Sequence, residues 1–200
     1  QGNYGVGGHG DSTSRSSPVQ VGALKDWNWV ACGKAATAAI KQDGTLWWWG
    51  RGNEGDSPLG NTTSYSSPVQ VGSLTDWKYI MMRGTTAVVN GGGAIKTDGT
   101  LWGWGDNTTG DIGDGTTTTR NSPVQIGSLT NWSTLSGGLS MPFAVKTDGT
   151  MWSWGSAAGG AQMHGDVVNR SSPTQIGSLT TWNANRVFGQ GGDAHKWGIK

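Results

Sequence analysis

Beyond Asn121-Ser122-Pro123, residues Val124, Gln125 and Ile126 alternate apolar, polar and apolar, the period of a half-buried strand. Pro123 stands at the first strand position, where its missing N–H removes no ladder bond. Gly127 ends this strand, and Leu129 and Trp132 read as anchors of a short link to the next strands. Those run through Leu135 and Phe143-Ala144-Val145-Lys146. Asp148-Gly149 then predicts a tight turn, because Gly takes positive φ at no steric cost. After it, Met151-Trp152-Ser153-Trp154 alternates again and places Trp152 and Trp154 on one face.

The same grammar returns along the chain. Asp-Gly-Thr-Leu-Trp-x-Trp-Gly is written at Asp43–Gly50 and Asp98–Gly105 and, with Met for Leu, at Asp148–Gly155. A Ser-Pro-Val-Gln-Val-Gly phrase or close variant surrounds Pro18, Pro68, Pro123 and Pro173, which stand 50, 55 and 50 residues apart. Trp27, Trp77, Trp132 and Trp182 keep the same steps. A period near 50 built from short strands marks a propeller. The predicted fold is all-β, a β-propeller of four-stranded blades. Its sequence units run over about 1–50, 51–105, 106–155 and 156–200, the last one incomplete.

One blade cannot hide both of its faces. Radial stacking buries the Trp pair of one blade against the Val/Ile face of its neighbour, each large aromatic removing roughly 150–250 Å² from water. Trp152→Ala is accordingly expected to cost roughly 3–5 kcal/mol. The residue between the paired tryptophans varies freely as Trp48, Gly103 and Ser153, so the outer positions read as structural and the middle one as negotiable. Trp48, an extra ring, is kept as a candidate contact residue.

These phrases resemble the repeat of the regulator of chromosome condensation family. That repeat reads approximately Asp-Gly-x-Leu/Val-x-x-Trp-Gly, then Asn-x-x-Gly-Gln-Leu-Gly-x-Gly, a Pro-initiated strand, and Gly-x-x-His-Ser/Thr-x-Ala-Leu/Ile. Residues Trp104 to Thr116 match its middle section closely, and the resemblance, of a bacterial or phage-like kind, covers the whole chain. It implies a propeller of typically about seven blades, of which about four repeats are present here, used as a protein-binding platform. Some members act on a small GTPase, whereas others are secreted inhibitors or phage and bacterial surface proteins. The family's repeated His falls at Ala36 and Met141, so its hydrogen bond is absent there. A five-residue excess near Val89-Asn90-Gly91-Gly92-Gly93 reads as a glycine-rich bulge or loop, the place for something specific. No nucleotide-exchange motif carries over.

Gln1 aligns with Asp106 and Ser156, just after a missing Trp-Gly, and Ile199-Lys200 aligns with Val145-Lys146, just before a missing Thr-Asp-Gly-Thr. Four repeats less one hairpin strand are expected to be a window on a longer polypeptide. The alternative is a strand donated by a neighbouring chain through β-augmentation.

Composition narrows the function. Charged residues make up 14 % of the chain, against roughly 25 % in an ordinary soluble domain, and Thr, Ser, Asn and Gly fill the deficit. Such a neutral polar surface points to a virion or extracellular setting, with the cytoplasm as the alternative. Net charge is +1 without a basic stripe, which argues against nucleic acid. Cys32 stands alone and reads as a small buried apolar residue. No apolar run is long enough for a membrane span.

Catalysis needs convergent titratable groups, and none can be named. His9, His164 and His195 lie in different repeats without a His-x-x-x-His or His-Glu pair, so no metal or cofactor is expected. Asp111-Ile112-Gly113-Asp114-Gly115 does not fit a calcium loop. Asp43, Asp98 and Asp148 read as turn formers, one per blade on one rim. Arg15, Arg120 and Arg170, with Tyr65 in the same place, read as local turn anchors. The expected function is a non-enzymatic scaffold binding protein or glycan, displayed on a virion, appendage or cell exterior and able to assemble with neighbouring chains. The alternative is a soluble regulatory propeller with one protein target, of exchange-factor or enzyme-inhibitor type. Candidate binding-loop residues are Tyr4, His9, Trp48, Arg51, Asn53, Glu54, Asn90, Gly92 and His164.

Overall fold

The computed structural model describes residues 3–23, 25–52, 57–84, 90–138, 140–158 and 162–182. Among the described residues, twelve strands fall into three four-stranded antiparallel sheets, each in simple sequence order. Blade one holds β1 (Trp27–Cys32), β2 (Ala36–Lys41), β3 (Leu46–Gly50) and β4 (Tyr65–Gln70). Blade two holds β5 (Trp77–Gly84), β6 (Asn90–Lys96), β7 (Leu101–Gly105) and β8 (Arg120–Gln125). Blade three holds β9 (Trp132–Gly137), β10 (Pro142–Lys146), β11 (Met151–Gly155) and β12 (Arg170–Gln175).

The Asp-Gly hairpins form for a local reason. Gly44 N–H bonds the Lys41 carbonyl at 3.0 Å, and Lys41 N–H bonds the Thr45 carbonyl at 3.0 Å. The chain turns through Gly44 at φ 78°, a left-handed value that an L side chain resists. Its Cβ position is filled by the backbone carbonyl of Thr75, so glycine is required twice over. Asp43 Oδ1 then accepts from Thr45 N–H at 2.9 Å and Thr45 Oγ1 at 2.7 Å, and Trp47 Nε1 donates to that hydroxyl at 2.8 Å. Asp98 and Asp148 repeat the arrangement with Thr100 and Trp102, and Thr150 and Trp152.

Blades stack as the alternation requires. Ala38, Ile40, Leu46 and Trp48 of blade one pack on Ile80, Met82, Ala94 and Trp104 of blade two. Met81, Ile95 and Leu101 of blade two pack with Leu135, Ala144 and Trp154 of blade three. The two members of each Trp pair do different work, however. Trp49, Trp104 and Trp154 are buried, whereas Trp47, Trp102 and Trp152 are half-buried beneath a lysine. Lys41, Lys96 and Lys146 each place Nζ 3.6–4.3 Å from the centroid of the ring across the strand and about 5 Å from the inner-strand Trp27, Trp77 or Trp132. The 3–5 kcal/mol expectation thus belongs to Trp154 rather than to Trp152.

The middle position of each Trp-x-Trp strand is interior, not a free choice. Trp48 is fully buried in the core between blades one and two, and so leaves the set of contact residues. Its variation is balanced by the matching loop position. In the aligned repeats that position holds Ser57 where the strand has Trp48, Ile112 where it has Gly103, and Gln162 where it has Ser153. A Cβ on Gly103 would lie 3.0 Å from the Ile112 side chain, and Ser153 Oγ donates to the Gln162 carbonyl at 3.0 Å.

The glycine run is also corrected. Asn90 to Gly93 are ladder residues of β6, paired with β5 from Gly84↔Asn90 to Met81↔Gly93, and Gly91 to Gly93 also pair with β7 on the other side. The excess lengthens the β5–β6 hairpin by two pairs relative to β1–β2, whose last pair is Cys32↔Thr37. The glycines are there because side chains from neighbouring strands occupy their Cβ space. Trp104 lies over Gly92, the Arg83 guanidinium and Trp104 carbonyl over Gly91, and Leu135 over Gly93. Gly92→Ala should therefore overpack the blade, lowering stability by roughly 1–3 kcal/mol in a urea melt. An unchanged midpoint would show that Trp104 can move aside.

Two further expectations change. Leu129 is exposed, as are Leu74 and Leu179 at the matching positions, so Trp132 alone anchors that link. Cys32 is exposed rather than buried.

Candidate functional site

Antiparallel order sends everything variable to one side. The Asp-Gly turns and the links at 71–76 and 126–131 share one rim, joined by bonds such as Trp77 N–H to the Gly44 carbonyl at 3.1 Å. The β1–β2 and β9–β10 connections and the long β3–β4, β7–β8 and β11–β12 loops share the other. There, Arg51 N–H bonds the Ala35 carbonyl at 2.7 Å and Ser156 N–H bonds the Ser140 carbonyl at 2.9 Å.

The loops ahead of blades one, two and three each clasp the blade that follows. Gly10, Gly60 and Gly115 N–H groups bond the Ser66, Asn121 and Ser171 carbonyls of the outer strands at 2.7–2.8 Å. Trp49 Nε1 donates to the Val6 carbonyl at 2.9 Å, and Trp154 Nε1 to the Ile112 carbonyl at 3.0 Å. The arginines before each Pro strand act as local anchors. Arg15 pairs with Asp11 at 2.8 Å, Arg120 with Asp114 at 2.7 Å and Arg170 with Asp166 at 2.8 Å, while Asn61 Nδ2 donates to Tyr65 Oη. The hydrogen-bonded Arg170 holds the Asp166 carboxyl down to about 2.

Of the sequence-selected residues, Tyr4, His9, Arg51 and His164 lie on this loop rim, and Asn90 begins β6 at the same rim. Asn53 and Glu54, like His195, lie outside the described residues. Gly92 is interior. The fold brings Tyr4 and Arg51 together, with the guanidinium carbon 5.2 Å from the ring centroid.

Ser153, fully buried, donates to the Gln162 carbonyl at 3.0 Å, and its Oγ lies 2.9 Å from His164 Nε2. Burial, and after it Arg170, pulls the imidazole below its usual range, while Asp166 opposes them. Among the described residues, no group of three or more His, Cys, Asp or Glu is placed to hold a metal ion. No described helix is long and apolar enough to cross a membrane.

Two features escaped the sequence reading. Tyr4 (φ 62°) and Met163 (φ 60°) are the non-glycine residues with positive φ among those described, and both are exposed on the loop rim. Met163 stands where the repeat has Gly8 (φ 72°) and Gly113 (φ 94°), so alignment of the repeats already marks it. Arg83 and Asp111 form the other. Both side chains are wholly buried, with Nη1 and Oδ2 3.6 Å apart. Arg83 Nη2 donates to the Trp104 and Asp106 carbonyls, and Asp111 Oδ1 accepts from Thr109 Oγ1 at 2.8 Å and Ser156 N–H at 3.1 Å. Burial lowers the Arg83 guanidinium and raises the Asp111 carboxyl from their ordinary values. Arg83 lies in the extra pairs of the β5–β6 hairpin, a signal that the sequence did contain.

Three four-stranded antiparallel blades packed face to face give this chain a β-propeller fold. The family model of the regulator of chromosome condensation (RCC1) repeat matches residues 98–145, from the second Asp-Gly turn to β10. Solved structures share the fold. Human WBSCR16 superposes with a TM-score of 0.75 at 20 % identity, over 88 % of this chain and 47 % of that one. Prp20p from Saccharomyces cerevisiae gives 0.67 at 17 % identity, over 80 % and 40 %. Yeast RCC1 (Prp20) bound to Kap60 gives 0.67 at 18 %, over 80 % and 38 %. The chain thus spans less than half the length of each. No curated protein matches its sequence significantly.

Proposed function

We propose that this chain is part of a non-enzymatic β-propeller that binds a protein through its loop rim. The observation carrying this reading is the pair Tyr4 and Met163. A left-handed backbone costs a non-glycine residue on the order of 1–2 kcal/mol, and the fold spends it at two exposed, largely apolar side chains. Tyr4 with Arg51 beneath it supplies the residue types enriched at binding hot spots. The titratable groups, by contrast, are mostly absorbed by the frame, in Lys–Trp stacks, Asp–Thr turns and Asp–Arg pairs. That favours a scaffold over an enzyme.

Tyr4→Ala combined with Met163→Gly is expected to abolish capture of a stoichiometric partner while leaving the unfolding free energy from a urea melt within about 1 kcal/mol of the parent. Leu129→Ser on the opposite rim should retain capture. Loss of capture by Leu129→Ser alone would move the binding face to the turn rim.

Two settings fit such a platform. The low charge of 14 % supports display on a virion, appendage or cell exterior, with protein or glycan as ligand. The fold shared with Prp20p, whose structure is described with its binding to Gsp1p and histones, supports a regulatory propeller with one soluble target. Co-purification with a particle favours the first, and a tight one-to-one pull-down the second.

A further inference from the structure

An open cleft of about 340 Å³ lies between blades one and two, large enough for a short stretch of peptide or a small ligand. Blade two contributes Trp77 of β5, Trp102 of β7 and Pro123 of β8. Blade one contributes Pro58 and Leu59 of the β3–β4 loop, and Val71 and Leu74 of the link after β4. Leu74 is 45 % exposed, an apolar side chain left at the edge of the cleft. Tyr4, Arg51 and Met163 do not line it, so it is separate from the binding face of the loop rim.

Three features define what the cleft accepts. The first is neutrality, since no charged side chain is among its described lining residues. Leu59 stands where the next loop has Asp114, which pairs with Arg120, and Tyr65 stands in the arginine's place. The Asn61–Tyr65 bond here takes over from the acid–arginine pairs of the other loops. The second is a free donor. Trp77 is 4 % exposed, yet its Nε1 has no acceptor among the described residues, an unusual state for a buried indole. Trp27, Trp132 and Trp182 share that state, so the donor belongs to every blade and Leu59 is what is particular to this cleft. Trp102 Nε1, in contrast, is held by Thr100 Oγ1 at 2.8 Å. The third is a shortage of acceptors. Gln70 and Ser122 are the other polar side chains among the described lining residues, and Gln70 Nε2 already donates to the Gly72 carbonyl at 3.2 Å.

We propose that this cleft binds a proline-rich segment of another protein in the polyproline II conformation. Prolyl residues match all three features. They carry no charge and no N–H, so their backbone strands no donor against an apolar wall. Their carbonyls stay free in polyproline II, a helix without internal hydrogen bonds, and can accept from Trp77 Nε1 and Ser122 Oγ. Their rings pack on the indoles and on Leu74, as proline-rich ligands do in aromatic-lined grooves. A sugar fits less well, because each hydroxyl brings a donor and the cleft has little to accept it. This sequence supplies no such segment itself. Pro58 and Pro68, the nearest pair among its six prolines, stand ten residues apart. Binding here is independent of whatever the loop rim captures.

Acetylated decaproline amide is the probe, added to the intact, isotope-labelled chain and followed through the indole N–H resonances. A saturable shift of the Trp77 signal is expected, with Trp132, whose cleft has Asp114 in place of Leu59, unmoved. Leu74→Asp should weaken binding about tenfold or more, as the loss of one buried leucine contact does. Leu129→Asp, the same exposed position one blade on, should leave it unchanged. Urea melts matching the parent check that both variants fold, and the Trp77 shift itself needs no variant. No shift at millimolar decaproline overturns the proposal, as does equal weakening by Leu129→Asp. Maltoheptaose moving the Trp77 signal at lower concentration than decaproline would make this a glycan site. A dimer of the chain alone that already moves that signal would make the occupant a second copy. Either result likewise overturns the proposal.

Discussion

Trp154→Ala is expected to destabilise the protein by about 3–5 kcal/mol. The indole is 1 % exposed and sits in the core shared by blades two and three. Its Nε1 donates to the Asp111 and Ile112 carbonyls, so truncation both opens a cavity and releases the clasp that holds the 106–116 loop to blade three. A Cβ on Gly113 would lie 2.7 Å from that Nε1, so the ring is also what confines the loop there to glycine. Urea melts of Trp154→Ala and Trp152→Ala side by side provide the check. Trp152 is only half-buried under Lys146, and its loss should cost clearly less. Equal midpoints would mean that the two faces of the strand are equally important to the stack.

Arg83→Met is expected to cost about 3–5 kcal/mol at neutral pH, because it strands the Asp111 carboxylate in the interior. The double variant Arg83→Met/Asp111→Leu should return to within about 1 kcal/mol of the parent or exceed it, since the desolvation of both charges is then relieved. The pH dependence has a definite sign. Burial already raises the Asp111 carboxyl, and Arg83 is what opposes the rise. Without Arg83 the folded-state value climbs further above the unfolded one. Stability of the single variant is then retained below the unfolded carboxylate range and lost as pH rises through the folded value. The gap between Arg83→Met and the parent should accordingly widen from acid toward neutrality in parallel melts. A gap that narrows with rising pH, or a double variant as unstable as the single one, would show that the pair is held for attraction and not in spite of burial.

Much of this architecture is legible in the sequence because its strongest constraints are local. Asp-Gly-Thr closes a hairpin by bonds within a few residues, and Ser-Pro starts an outer strand by the loss of one N–H, so the text of each repeat states its own geometry. Burial between blades is less legible, since it depends on pairs far apart in the chain. Trp48 looks like a surplus ring along the chain, and only its place in the core with Ile80, Met82 and Trp104 shows that it fills the interior. Gly91-Gly92-Gly93 looked like a loop because nothing local shows that Trp104 and Arg83 need the room of three side chains. The loop rim divides the same way. Topology placed His9, Arg51 and His164 on one side, but only the backbone angles of Tyr4 and Met163 single out which side chains are held for presentation.

The clasp that reaches from each long loop to the outer strand ahead has an evolutionary consequence. Every blade is joined to the next by the same stacked faces and the same glycine-to-carbonyl bond, so the chain has no privileged cutting point. A gene segment of one period, 50 residues as from Pro18 to Pro68, can be duplicated or deleted while the stacked faces and the glycine-to-carbonyl bond are kept at the new junction. Such a lineage changes length in whole blades while its loops diversify one by one.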